Sequence, residues 1–342
     1  MKKYTPSYYD RFSCLAGECP DTCCAAWEIT AEDELRNKLE ALRTDFSAEV
    51  LGKMKINEDG EHIFALENGR CPFLNADNLC DIHIKLGEEY TCGVCRQHPR
   101  FIEEYDGFTE IALSLSCPAA ADIIFGEKLT ESTYPCPEAE TDDILLEKLI
   151  FFRDRLIRSA AGSGSISAAF GEVLEISDIL QDIYDYFGFE DMPEAQTDGG
   201  CELTDFIPED FSDAYIAFLL NRTEILTDRW KEMLEKASAV RFDKEKSTAF
   251  LKENGADMLK VFAYYLYRYY LKAVNDENIL LHALFIVISV TVCAEISLRT
   301  GESFREVSRI YSKETEHDTV NIDLAEEYIE SLLSDFSGEE IQ

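Results

Sequence analysis

The sequence predicts a mainly α protein: a loop-rich, cysteine-rich, metal-binding N-terminal part with short strands, followed by an α-helical, bundle-like part. Three observations predict it. Ten of the twelve cysteines fall before residue 137. After residue 140, apolar residues recur at helical spacing in long segments with short joins. There is no βαβ rhythm and no G-x-G-x-x-G turn after a strand, which argues against a dinucleotide-type sheet. At 342 residues the chain is long for one core, and the expected division is residues 1–125 against residues 126–342.

In the first part, Thr30 with Asp33 resembles a capping box, and Leu35, Leu39 and Leu42 continue at helical spacing. Turn signals follow at Glu58-Asp59-Gly60, Asn68-Gly69 and Ala76-Asp77-Asn78. Thr109, Ile111, Leu113 and Leu115 alternate with their neighbours as in a strand running up to Cys117-Pro118. Short elements, many turns and many thiols describe a region stapled by metal rather than by a large core. Thr130, Ser132, Pro135 and Pro137 break any helical pattern over 126–140, where the boundary is expected. Beyond it, Leu145, Leu149, Phe152 and Leu156 share a helix face, as do Phe170, Val173, Leu180 and Phe187 before Gly188. Gly199 and Gly200 mark a second linker, and Pro208-Glu209-Asp210 opens another helix. Further helices are expected over 228–239, 247–273, 279–298, 303–312 and 324–336, with Gly255 interrupting the second of these or sitting at its start.

Lys and Arg number 32 against 68 Asp and Glu, a net charge of −36. Such a surface is repelled by phosphate, which argues against nucleic acid and anionic membrane as partners and favours a cationic one such as a lysine-bearing protein. Solubility alone is an equally good account of the acidity. Lys2 and Lys3 are followed by no apolar run, so no secretory signal is read and a cytoplasmic protein is expected. In that compartment persistent disulfides become the weaker account of the cysteines. Residues 279–298 are apolar enough to need a membrane check. They contain His282 and Glu295, and the uninterrupted apolar stretch is shorter than a bilayer span requires, so a buried core helix is expected.

The cysteines point to metal. Only Cys92 and Cys95 have the C-x2-C spacing of a structural zinc site; the other intervals are Cys14-x4-Cys19, Cys19-x3-Cys23 and Cys71-x8-Cys80. Looser spacing suits an iron–sulfur cluster, which stands ahead of zinc, although neither a ferredoxin run nor C-x3-C-x2-C is present. Cys23 and Cys24 are adjacent, and two neighbouring sulfurs rarely reach one ion without strain. One is expected on the metal and the other in packing or at a second site. Cys136, Cys201 and Cys293 read as plain residues.

Several of these stretches together carry a resemblance. Tyr9-Asp10-Arg11-Phe12-Ser13-Cys14, Cys19, Asp21-Thr22-Cys23-Cys24 and Trp27 resemble the start of the flagellin lysine-N-methylase family. So do Cys71-Pro72-Phe73-Leu74, Leu79-Cys80, Leu86-Gly87-Glu88-Glu89-Tyr90, Cys95-Arg96, Pro99-Arg100 and Leu113-Ser114-Leu115-Ser116-Cys117-Pro118. The chain is also similar to a broader group of zinc- or iron-chelating CxxCxxCC proteins. The resemblance is strong over residues 4–125 and weaker at 264–273 and 312–321. It implies a cytoplasmic enzyme that carries an iron–sulfur cluster, 4Fe-4S by type with zinc as the alternative. Such an enzyme uses S-adenosylmethionine to methylate lysine ε-amines on flagellin. The family cysteines fall on Cys14, Cys19, Cys23, Cys24, Cys71, Cys80, Cys95 and Cys117; the subset shared with the broader group, Cys24, Cys71, Cys80 and Cys95, gives the four preferred ligands. Cys92 stands where the family has another residue, which makes it a spectator.

For supporting roles, Arg96 is the candidate to contact the cofactor, and Glu316 with His317 are weak catalytic candidates beside Asn321. His98 is a candidate ligand or base, against the plainer reading of a satisfied polar histidine. The aromatic run over 262–270 is either a cage for a methylated ammonium or, more simply, core. The rival to a methylase is a non-enzymatic, metal-chelating or redox-sensing module whose helices grip a partner.

Overall fold

The structure is a computed structural model and describes residues 2–57, 60–138, 141–189, 203–208, 210–241, 243–317 and 319–337. Glu58, Asp59, Gly199, Gly200, Cys201 and Glu209 lie outside the described residues. The first part contains β1 (Lys2–Tyr4), β2 (Ile29–Thr30), α1 (Asp33–Leu42), α2 (Asp45–Lys53), β3 (Lys55–Ile56), β4 (His62–Phe64), α3 (Asp81–Leu86), α4 (Gly93–Gln97), β5 (Arg100–Tyr105), β6 (Phe108–Leu113) and α5 (Pro118–Gly126). Helices make up the rest: α6 (Ile144–Ser163), α7 (Ile166–Phe187), α8 (Phe211–Arg222), α9 (Asp228–Ser238), α10 (Lys244–Tyr269), α11 (Ala273–Asp276), α12 (Ile279–Thr300), α13 (Phe304–Thr315) and α14 (Thr319–Ser337). The protein is mainly α, as its sequence predicts.

Two small sheets organise the first part. β6 is central in one, parallel to β1 and antiparallel to β5; β4 is central in the other, antiparallel to β2 and β3. The second sheet explains why Thr30 does not cap α1. Thr30 pairs with Ile63, and Ala31 N–H donates to the His62 carbonyl at 2.7 Å, so the backbone stays extended until Glu32. The capping box lies one helix later, at the start of α2, where Thr44 and Ser47 exchange side-chain and backbone hydrogen bonds. α10 runs straight through Gly255, held at its start by Asp243 accepting from the amides of Glu245 and Lys246.

Two apolar clusters result. The smaller packs Ile29, Leu35, Leu39, Val50, Phe64, Phe73, Ile82 and Cys92 between the second sheet and α1–α3. The larger takes in β5, β6 and α5 as well as the helices, so Tyr8, Phe108 and Phe125 share it with Leu149, Phe262 and Ile286. Leu145, Leu149, Phe152 and Leu156 do share the buried face of α6. On α7, Val173 and Leu180 are buried while Phe187 stands 60% exposed. α12 lies at the centre, packed on α7, α10 and α13. It is the one helix among the described residues long and apolar enough to cross a membrane, and 89% of its apolar window is buried inside the fold. A core helix is therefore what those residues make.

One buried ion pair joins the sheet to the bundle. Arg153 of α6 forks onto Glu110 of β6, with Nη1 to Oε2 at 2.8 Å, and also donates to the Tyr267 carbonyl at 3.3 Å. Both side chains are almost fully buried. Removing one partner leaves an uncompensated charge, so Arg153→Met is expected to cost about 3–5 kcal/mol in denaturant unfolding. Adding Glu110→Leu should recover most of that loss. Strictly additive losses would show that the pair does not act as a unit.

Candidate metal centre

The largest concentration of thiols lines a cavity of about 410 Å³ beside the small cluster. Cys23, Cys24, Cys71, Cys80, Cys92 and Cys95 line it together with Trp27, Phe73, His98 and His317. Local structure sets each sulfur. Cys71 N–H donates to the Cys24 carbonyl at 2.8 Å, fixing the two segments side by side. From Cys71 to Cys80 the chain folds around Asn75, whose Oδ1 accepts from the amides of Asp77 and Leu79 and whose Nδ2 donates to Asp81. Cys80 then opens α3 and Cys92 opens α4, which carries Cys95. The start of α4 is pinned by Gly93 N–H on Glu32 Oε1; a Cβ at Gly93 would collide with that carboxylate.

The donor chemistry fits a thiophilic metal. Burial pushes the Cys71 thiol up to about 12, and the charges of Cys24, Cys95 and Cys80 add to it. Cys80 is raised by burial and by Cys24 and Cys95, Cys95 by its hydrogen bond with Cys92 and by burial. Only Cys24, held by hydrogen bonds from Cys23 and Thr22, is pushed down. Four thiolates crowded this way repel one another, and a bound cation is what relieves such repulsion. Backbone amides already point at sulfur: Phe73 at Cys71, Ile82 and His83 at Cys80. Among the described residues no three His, Cys, Asp or Glu side chains converge tightly enough to hold a single ion as they stand. One zinc at about 2.3 Å from each sulfur needs that convergence, whereas a multi-iron cluster spreads its thiolates further apart.

One part of the lining comes from the far end of the chain. His317, just past α13, is stacked between Trp27 (5.3 Å) and Phe101 (5.2 Å), with Nε2 at 2.9 Å from Ser114 Oγ and 2.7 Å from Ser116 Oγ. Its neighbour Glu316 turns the other way, into the bundle, where it accepts from the hydroxyls of Tyr264 and Tyr269 at 3.0 Å and from Ser312. Burial raises Glu316, opposed by the Arg268 guanidinium. α13 also grips the cysteine-bearing loop: Arg309 and Lys313 each reach Asp21 at 2.6 Å, and Lys313 lies over the Trp27 ring. Burial would raise Asp21, but these two cations outweigh it and hold the carboxyl below its ordinary range. This ion cluster was not read from the sequence. Its one signal is that Arg309 and Lys313 stand one turn apart on an amphipathic helix.

The structure separates the other expected site residues. Arg96 is not among the lining residues and donates to the Thr91 carbonyl. Asn321 holds Glu224 and the Glu314 carbonyl instead of joining Glu316. His98 lines the cavity, 5.4 Å from the His317 ring. Cys92, although set aside by the resemblance, is buried among the lining thiols. Cys14, Cys19 and Cys117 line no part of this cavity, and Cys117 is the N-cap of α5. The aromatic run is core, with Phe262, Tyr264, Tyr265, Tyr269 and Tyr270 fully buried.

Burial, with nearby cations, lowers His98 to about 4 and His317 to about 3, below the 6.5 of a free imidazole. Because the folded values are depressed, their contribution to stability is complete above about pH 6.5 and is lost as pH falls toward 4. In that window each histidine should contribute a slope of about 1.4 kcal/mol per pH unit. His317→Gln is therefore expected to flatten the acid limb of the stability curve. Wild-type and variant curves that stay parallel from pH 6.5 to 4 would contradict this placement.

No family model matches the chain, and no solved structure matches it. It is 31% identical over 136 residues to the lysine-N-methylases of Salmonella typhimurium (strain LT2) and Salmonella choleraesuis (strain SC-B67), a match covering 37% of this chain and 34% of each relative. The chain thus spans about a third of the length of these two relatives. It is 30% identical over 136 residues to the flagellar biosynthetic protein FliU of Salmonella muenchen, covering 80% of that protein. With the cysteine motifs above, that last match identifies the chain as a member of the flagellin lysine-N-methylase family.

Proposed function

We propose that this protein methylates lysine ε-amino groups on a flagellar protein, with S-adenosylmethionine as methyl donor and an iron–sulfur cluster held by Cys24, Cys71, Cys80 and Cys95. The observation that carries this reading is the cavity itself. Six thiols and the rings of Trp27, His98 and His317 line one cavity, which supports a metal centre and an aromatic slot side by side. The cluster would supply a metal face able to act on the methyl donor.

The chain's own residues have a definable task. A lysine at its ordinary pKa of about 10.4 is a cation and must lose a proton before its nitrogen can attack a methyl carbon. Trp27, Phe64, Phe73, Ile29 and Ile82 give the cavity apolar walls that disfavour the ammonium and so favour the neutral amine. His98 and His317 stay uncharged at neutral pH, so they do not repel the arriving cation. Glu28 and Glu32, also on the lining, give the approach a negative sign, in keeping with the acidic surface as a whole. In this assignment Glu316 is a positioning residue: its bonds to Tyr264 and Tyr269 fix the end of α13 from which His317 projects.

Anaerobically purified protein, incubated with methyl-labelled S-adenosylmethionine and flagellin, should transfer label to lysine. Cys71→Ser/Cys80→Ser should lose iron and at least tenfold in rate. No transfer from protein with its centre intact would overturn the methylase reading, and an unchanged rate without iron would remove the cluster from the reaction.

A further inference from the structure

We infer that the free edge of β5 takes an extended, lysine-bearing segment of the substrate protein as an added strand and leads its lysine to the thiol-lined cavity. The inference rests on the methylase reading and names how the substrate docks. β5 is an outer strand: its sheet runs β1-β6-β5, and among the described residues no strand pairs with its other side. Which of its backbone groups face outward follows from one bond. Ser114 N–H donates to the Pro99 carbonyl at 2.6 Å, and these two residues continue the register that pairs Arg100 with Leu113 and Phe101 with Ala112. Bonded and non-bonded pairs alternate along an antiparallel ladder. Phe101, Glu103 and Tyr105 therefore bond β6, and the N–H and C=O groups of Arg100, Ile102 and Glu104 point away from it. The two-residue turn at Asp106-Gly107, closed by Tyr105 and Phe108, gives the same phase.

That edge is accessible and stiff. Among the described residues no backbone hydrogen bond from outside the sheet reaches the amide or carbonyl of Ile102 or Glu104. Ile102 is 43% exposed, and Glu104 is exposed as well. The register from Arg100 to Tyr105 is unbroken, with neither a bulge nor a proline to guard the edge. The strand is held from its other face, where Phe101 stacks on His317 and lies under the Arg268 guanidinium, and Glu103 pairs with Arg268 and Lys272. An edge fixed in advance loses little conformational freedom when a strand joins it.

The edge begins at the cavity. His98, two residues before Arg100, lines it, and so does His317, on which Phe101 stacks. A strand rises about 3.3 Å per residue, so a lysine a few positions beyond the pairing with Ile102 stands at the opening. Charge selects the occupant. Glu104 is exposed on the edge, Glu28 and Glu32 are on the lining, and the whole chain carries −36. A second copy of this chain is repelled, whereas a lysine-bearing segment is drawn in. Main-chain bonds supply affinity whatever the side chains, so the substrate class is an extended segment with a lysine near one end of the paired stretch.

The test is binding of lysine-bearing flagellin peptides to the full-length protein, by fluorescence anisotropy with no methyl donor present, so that a failure of methyl transfer leaves the readout untouched. Ile102→Pro removes one outward N–H while the β5–β6 bonds stay in place, and should weaken binding about tenfold. Ile102→Ala keeps the N–H and should stay within about threefold of the wild type. Equal losses in the two variants would mean that the side chain makes the contact, and would overturn the inference. So would binding that survives Ile102→Pro, or a wild type that binds none of the peptides. A dimer that Ile102→Pro dissociates, with peptide binding unchanged, would give the edge to a second copy and overturn it too. Should Ile102→Pro fail to fold, methylation of the peptide's backbone nitrogens decides: methyls on alternate residues should weaken binding in one phase only, and equal tolerance of both phases overturns the added strand.

Discussion

Asp21 is where the two ends of this protein meet. Its carboxylate, partly buried, is held by Arg309 and Lys313 from α13, almost three hundred residues away in sequence. The same helix turn carries Glu316, locked into the bundle by tyrosine hydroxyls, and then His317, stacked on Trp27 and bonded to Ser114 and Ser116. Short loops with four thiols have little core of their own to define their shape. Here their shape is borrowed from a helix that is itself fixed by the large core. The aromatic wall of the cavity, with its neutral imidazoles, rests on that seating.

The energetics point the same way. Separated surface ion pairs contribute little, but Arg309 is buried and bonds Asp21, Glu306 and the Ser116 carbonyl at once. A fork satisfied on all sides in a partly dry seam fixes geometry as much as it adds stability. The large acidic excess of the chain makes such cations scarce, and four of the 32, Arg229, Arg305, Arg309 and Lys313, line this one seam. Local charge balance at the junction is thus the opposite of the surface as a whole.

Much of the bundle was legible because it rests on local rules. The starts of α9, α12 and α13 are marked by Thr227, Asn278 and Ser303, whose side chains cap the first turn, and apolar spacing places the buried face of α6. Thr30 misled because a two-residue strand pairing overrides a capping pattern that the sequence presents equally well. What could not be read are the long-range pairings. Nothing near Asp21 announces Arg309, and nothing near Trp27 announces His317. Spacing put Cys92 with Cys95, and both line the cavity; what spacing does not supply is the neighbouring segment, which the fold brings up by setting Cys71 beside Cys24 through one backbone hydrogen bond.

The central claim is that α13 seats the cysteine loops through Asp21. Hydrogen exchange on Asp21→Ala measures this directly. The account predicts faster exchange over residues 14–27 and 114–118, with α10 and α12 protected as in the wild type. Unchanged exchange over residues 14–27 would mean that the loops hold their own shape, and would contradict it.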